Sequence, residues 1–188
     1  QTAWDLGRRS SEQILELYTL EHGTPLKRLA LSVWATSTMR NGGEDIAQLL
    51  ALLGIKPVWD NTTNKIIDLE VIPTSVLGRS RVDVTLRISG LFRDAFPHLI
   101  DLVNKAQTMI RNLDEPNEFN PYAQSFKDGN SVGRVYGSAP ESYGTGLQEL
   151  INLGVWEENE DLAKSYIDSS KWNYSGSNEP SEDKSGLE

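Results

Sequence analysis

The spacing of apolar residues changes several times along the chain and divides it into alternating helical and extended segments. Ile14, Leu17, Tyr18 and Leu20 follow an approximate helical stripe. Ser10 or Ser11 can cap it and Gly23 can end it, which predicts a leading helix over about 10–22. The run "LALSVWAT", Leu29 to Thr36, is apolar on both faces and predicts a central strand of a parallel sheet. A polar loop with Gly42 and Gly43 follows, after which Ile46, Leu49, Leu50 and Leu53 recur at helical spacing up to Gly54. "IKPVWD" then reads as a second strand ending at Asp60, so strand, helix and strand together predict a parallel βαβ unit.

Beyond a polar turn, "IIDLEVIP" is extended and closed by Pro73, and "TSVLG" is a short helical turn. Val82, Val84, Leu86 and Ile88 alternate with Asp83, Thr85, Arg87 and Ser89, the pattern of a strand. The longest helical pattern follows, with Pro97 in its first turn and its end near Leu113, before Pro116. "GRVYGSAP" predicts a last strand, and "GTGLQELINLG" and "DLAKSYI" predict two helices. The sum is an α/β domain over 1–174, with a mostly parallel central sheet flanked by helices in three Rossmann-like layers and a polar tail over 175–188.

Composition narrows the chemistry. A chain of 188 residues with 38% hydrophobic content can bury one core. No apolar run approaches the ~20 residues of a membrane span, and a soluble, cytoplasmic protein is expected. There is no cysteine, and the two histidines, His22 and His98, are far apart, so no resident metal site is expected. A net charge of −9 without clustered Lys and Arg argues against nucleic-acid binding.

In open α/β sheets ligands gather outside the carboxyl ends of the strands, which selects the loops Ser37 to Asp45, around Asp60, Ser89 to His98, and Gly137 to Gly146. "RNGGED" is not G-x-G-x-x-G, and Glu44 and Asp45 put negative charge where a pyrophosphate would sit. No G-x-x-x-x-G-K-[ST] loop is present, so ATP hydrolysis by this chain is not expected, and without G-x-S-x-G a hydrolase elbow is excluded. In "SGLFRDAFPHL", Asp94 and His98 stand four apart and could pair a carboxylate with an imidazole for proton transfer. Equally, Asp94 could cap a helix that starts at Pro97, with Arg93 as its ion-pair partner. Arg40, Arg79, Arg81, Arg93 and Arg134 recur at the expected loop rim, near Trp34, Trp59, Phe92, Phe96, Tyr136 and Tyr143. Such a set suits a large flat ligand with acidic side groups. The alternative is aromatic core residues and arginines paired with surface acids, which spacing alone favours.

Four ordered blocks, "LALSVWATSTMRNGGEDIAQLLALLGIKPVWD", "VIPTSVLGRSRVDVTLRISGLFRDAFPHLIDL", "LDEPNEFNP" and "RVYGSAPESYGTGLQELI", resemble the CobN-type large subunit of cobaltochelatase, which shares a family with the magnesium-chelatase H subunit. The resemblance runs from about Trp4 to Tyr174, and the spelling "MRNGGED" separates the cobalt branch from the magnesium branch. It implies an internal piece of a longer subunit, in keeping with a first residue that is Gln1 rather than Met. It implies ATP-dependent insertion of a divalent metal into a tetrapyrrole, with the large subunit holding a corrin precursor while an AAA+ ATPase subunit and an integrin-like subunit use ATP. Co2+ would be a substrate, Mg2+ in the magnesium branch, and no tightly bound cofactor is expected here. Within that reading Glu44, Asp45, Asp94 and His98 are the candidate bases or transient hard ligands. Arg40, Arg93 and Arg134 are the candidate clamps for peripheral carboxylates. The alternatives are a magnesium-chelatase H-type subunit acting on protoporphyrin, and a docking module that contacts the ATPase partner without touching ligand.

Overall fold

The computed structural model describes residues 1–127, 133–176 and 179–183. In chain order the elements are α1 (Thr2–His22), β1 (Arg28–Val33), α2 (Ala35–Asn41), α3 (Glu44–Leu53), β2 (Ile55–Trp59), β3 (Ile66–Val71), α4 (Thr74–Leu77), β4 (Asp83–Ile88), α5 (Gly90–Ala95), α6 (Pro97–Arg111), α7 (Pro121–Lys127), β5 (Val135–Gly137), α8 (Leu147–Leu153), α9 (Asn159–Ser170), β6 (Trp172–Asn173) and β7 (Ser181–Glu182).

The alternation in β4 places it at the heart of the molecule. Its Val84, Leu86 and Ile88 join Val33 and Val135 of the neighbouring strands in one apolar cluster with Leu49, Leu50 and Leu53 of α3 and Val103, Ala106 and Ile110 of α6. Asp83 and Arg87 point to the opposite face, where they are also buried. The sheet order is β1-β4-β5-β6-β7, with β1-β4 and β4-β5 parallel and the remaining pairs antiparallel. Helices α3 and α6 cover one face with α1 packed outside α3, and α9 lies against β5. Part of the stretch read as a tail therefore joins the sheet, as β7.

Three expectations need correction. β1 is an edge strand rather than a central one, and its residues alternate, with Arg28, Ala30 and Ser32 exposed and Val33 buried. The parallel βαβ unit does not close on β2. That strand pairs antiparallel with β3 in a separate two-stranded sheet, and the parallel neighbour of β1 is β4. The hairpin is set by the Asp60 turn, where the carboxylate accepts from the backbone of Thr62 and Thr63 and Asn64 takes a positive φ of 55°. Finally, the leading helix starts at Thr2, with Ser10 and Ser11 inside it rather than at its cap.

Gly7 lets the first turns of this longer helix pack closely on α3. A Cβ there would lie 2.6 Å from Gln48 N and 2.7 Å from Glu44 O, so its lack of a side chain lets α1 touch the start of α3. Gly7→Ala is expected to destabilise the chain by about 1–3 kcal/mol through overpacking. The readout is the urea midpoint, and an unchanged midpoint would show that α1 is free to move away.

The carboxyl end of α3 carries the heaviest polar burden. All residues from Ile46 to Leu53 are buried, so the last carbonyls of the helix have no water to bond. Two arginines supply the donors. Arg79 donates to Ala51 O at 2.6 Å and Leu52 O at 3.1 Å. Arg81, fully buried, donates to Leu53 O at 2.9 Å and Gly54 O at 3.1 Å, and bridges on to Ile72 O and both oxygens of Glu115. Burial first, and then the charge of Arg81, push Arg79 down to about 10. These two are therefore structural cations rather than part of a ligand rim.

Candidate functional site

Ser89 stitches the carboxyl ends of the two parallel strands. Its backbone N–H donates to Val33 O at 3.0 Å, and its hydroxyl accepts from Phe92 N at 3.1 Å, capping α5. Ala35 N also approaches the same oxygen, at 3.4 Å, at the start of α2. A groove of about 180 Å³ opens beside this junction, walled by Trp34, Ser89, Gly90, Leu91, Tyr143 and Gly144. Gly90 is required: a Cβ there would meet Ser142 O at 2.5 Å and Tyr143 Cδ1 at 2.8 Å, so the 142–144 loop rests directly on the start of α5. Trp34, 44% exposed, offers its indole to the opening.

Arg93 and Asp94 stand at the rim. Arg93 donates to Ala139 O at 2.7 Å, tying α5 to the loop after β5, and grips Asp94 through two bonds of 2.6 and 3.0 Å. Tyr143 donates to the same carboxylate at 2.7 Å and lies under the Arg93 guanidinium. The hydrogen bond from Arg93, helped by that from Tyr143, holds Asp94 below the usual carboxylate range. In return the bond to Asp94 raises the Tyr143 phenol. The carboxylate is thus kept ionised while its side chain stays 41% exposed, which makes it a poor proton acceptor and a good fixed negative charge. A second cavity, about 360 Å³, adjoins Arg93 between Pro97, Ile100, Asp101, Asn104 and Tyr174.

The other candidates are placed differently. The pairing of Asp94 with His98 on one helical face is broken, because Asp94 lies in the last turn of α5 while His98 sits in the first turn of α6 after a break at Phe96. His98 is exposed, with its ring edge-on to Phe96. Asp94 does not cap α6 either, since Phe96 holds that position. The loop of Gly42 and Gly43 is shorter than expected, because Ala35–Asn41 is helical. Asn41 Oδ1 accepts from Gly43 N and Glu44 N at 2.9 and 3.2 Å, while both glycines take positive φ. Glu44 and Asp45 occupy the first turn of α3, where they complement its dipole. Arg40, Glu44 and Asp45 have no hydrogen bond or ion pair to Arg93, Asp94 or His98 among the described residues.

Arg134 lies at the amino ends of the strands, remote from the groove along β5. It is buried and clasps Asp83 through bonds of 2.7 and 2.9 Å, with the ring of Tyr122 beside it. Burial alone would lower its pKa, but the hydrogen bond and charge of Asp83 outweigh that and raise it. Burial pushes Tyr122 up to about 12. A cavity of about 670 Å³ is at this same end, beside Tyr18, Lys27, Arg28, Glu118 and Gln124, and holds none of the candidate residues. No group of three or more His, Cys, Asp or Glu able to hold a metal ion occurs among the described residues, and no helix among them is long and apolar enough to cross a membrane.

Sequence reasoning missed Ser89 as the junction cap and the serine-rich 138–142 loop as the seat of Arg93. The signal for Ser89 was available, since it stands directly before a glycine and three residues before Phe92, in helix-capping position.

A family model described as CobN/Magnesium Chelatase matches residues 1–188. The aerobic cobaltochelatase subunit CobN of Pseudomonas aeruginosa is 44% identical over 182 residues, covering 88% of this chain and 15% of that protein. The chloroplastic magnesium-chelatase subunit ChlH of Oryza sativa subsp. japonica is 30% identical over 168 residues, covering 83% of this chain and 12% of that protein. Among solved structures, the catalytic subunit of cobaltochelatase from Mycobacterium tuberculosis overlays all of this chain with a TM-score of 0.94 at 38% identity, using 17% of that chain. The chain therefore spans less than a fifth of the length of these relatives.

Proposed function

Because the chain belongs to the CobN/magnesium chelatase family, we propose that it forms part of the tetrapyrrole-binding large subunit of an ATP-dependent cobaltochelatase, which presents a corrin precursor for Co2+ insertion. The observation that supports this most is the agreement in sequence and fold along the whole chain with cobaltochelatase subunits, closer at 44% identity than the 30% to a magnesium-chelatase subunit. On this reading ATP is spent by an AAA+ subunit and an integrin-like subunit, in keeping with the lack of a phosphate-binding loop here, and the assembly works in the cytoplasm, where ATP is available.

The groove at the ends of β1 and β4 then receives an edge of the macrocycle against Trp34 and Tyr143. Asp94, kept ionised by Arg93, supplies fixed negative charge for a dication approaching the ring. His98, exposed nearby on α6, is the candidate acceptor for ring N–H protons, since an imidazole changes charge near neutral pH. Glu44 and Asp45 offer hard oxygen ligands on the approach, and Arg40 a contact for a peripheral carboxylate. Arg134, engaged with Asp83, acts on this reading by holding β4 and β5 together rather than by touching substrate.

Titrating the chain with a carboxylate-bearing corrin is expected to quench its five tryptophans saturably, whereas ATP is expected to leave the unfolding midpoint unchanged. Absence of quenching, or stabilisation by ATP, would overturn the reading.

A further inference from the structure

Three arginines are buried among the described residues, and two of them have a carboxylate of their own. Arg81 has Glu115 and Arg134 has Asp83. Arg87, only 4% exposed, has none. Its Nε donates to Ser170 Oγ at 3.3 Å and its Nη2 to Gly144 O at 2.9 Å, both neutral acceptors. Its Nη1 is buried and has no hydrogen-bond partner among the described residues. The rings of Trp34 and Tyr166 stand 5.5 and 5.3 Å from the guanidinium carbon and give it partial, non-ionic compensation.

A guanidinium taken out of water without an anion is costly, and an unsatisfied buried donor adds to that cost. A ligand that supplies an anion is one way to complete such a group. Two of the residues that Arg87 touches, Trp34 and Gly144, also wall the groove at the ends of β1 and β4, so they stand between its guanidinium and that groove. Trp34, 44% exposed, is the side chain of that wall that covers the guanidinium.

We propose that Arg87 is the carboxylate anchor of this groove, its free Nη1 donating to a peripheral carboxylate of the ligand while Trp34 packs against the attached hydrocarbon. This rests on the tetrapyrrole reading above and specifies which ligand group is held, and by which atom. Arg93 cannot fill that role without giving up Asp94.

The test measures coproporphyrin binding to the chain by tryptophan quenching, for the wild type, Arg87→Gln and Arg87→Lys, with folding checked by circular dichroism. Arg87→Gln is expected to weaken binding at least tenfold and Arg87→Lys less, while a tetracationic porphyrin binds both variants as it binds the wild type. On the unaltered chain, glutarate is expected to compete with coproporphyrin where glutaramide does not, which keeps the test decisive if a variant fails to fold. Equal binding by Arg87→Gln, or equal competition by the two small molecules, would overturn the anchor and leave the chelatase reading standing. If coproporphyrin does not bind but glutarate shifts tryptophan emission in an Arg87-dependent way, the anchor stands and the tetrapyrrole reading falls. Binding of neither overturns the anchor.

Discussion

Replacing Arg81 with methionine is expected to destabilise the fold by about 3–5 kcal/mol, the usual cost of removing one partner of a buried ion pair. Methionine keeps much of the side-chain volume, so the loss reports on the polar end. Without it, the carbonyls of Leu53 and Ile72 lose the Arg81 donor, Gly54 O keeps a bond from Ile72 N alone, and Glu115 keeps its bond from Asn120 among the described residues. Glu115→Gln should cost less, because the Glu115 side chain is 16% exposed and an amide oxygen still accepts from the guanidinium. The pair also fixes a pH dependence. The hydrogen bond from Arg81 is the main cause that holds the Glu115 carboxyl below its ordinary 4.5 in the folded state. Its contribution is therefore complete above that value and is lost as pH falls through the lower folded value. Denaturant midpoints measured from neutral pH down into this range should decline more steeply for the wild type than for Arg81→Met. A destabilisation below about 1 kcal/mol would mean that water reaches the end of α3.

Asp94→Asn, introduced into the complete subunit and assayed with its ATPase partners, is expected to reduce kcat for metal insertion by about 100-fold, the scale seen when one preorganised electrostatic group is removed. The amide preserves shape and one acceptor but removes the charge that Arg93 and Tyr143 orient. KM for the tetrapyrrole should move little, because the charge acts on the arriving cation rather than on ring binding. With the carboxyl held low in the folded protein, the wild-type rate should not fall off through titration of Asp94 at its ordinary value, whereas Arg93→Met should move such a fall-off up towards that value. A full rate in Asp94→Asn would reduce Asp94 to a positioning partner of Arg93.

The elements read best from sequence are those whose period is enforced by one buried face. Ile46, Leu49, Leu50 and Leu53 marked α3, and the alternation from Val82 to Ile88 marked β4. β1 was misplaced because its outward residues include Ala30, whose small side chain is hydrophobic in a pattern yet exposed in the fold. α2 was invisible because "ATSTMRN" has no long apolar stripe, and the weak helix formers Thr36, Ser37 and Thr38 fill its first half after Ala35. The arginines show a deeper limit. Arg81 meets Glu115 across 34 positions and Arg134 meets Asp83 across 51, and no local spacing reveals such partners. Of the candidate site, "FRDAF" was legible as a charged pair at a strand end. Its third member, Tyr143, comes from 49 positions away and could be named only as one of several aromatics.

The way α3 ends bears on how the chain reaches its folded state. By pattern this is the most hydrophobic helix and the natural seed for collapse, yet its final turn is completed by Arg79 and Arg81, donors 27 or 28 positions downstream. An early, isolated α3 would have to keep its last carbonyls wet or fray. Closing the intervening loop must accompany its burial, and that closure is an entropic toll met before the packing is won. Completion of α3 to its last turn therefore depends on the return of the 79–81 segment, which the apolar stripe of the helix does not supply.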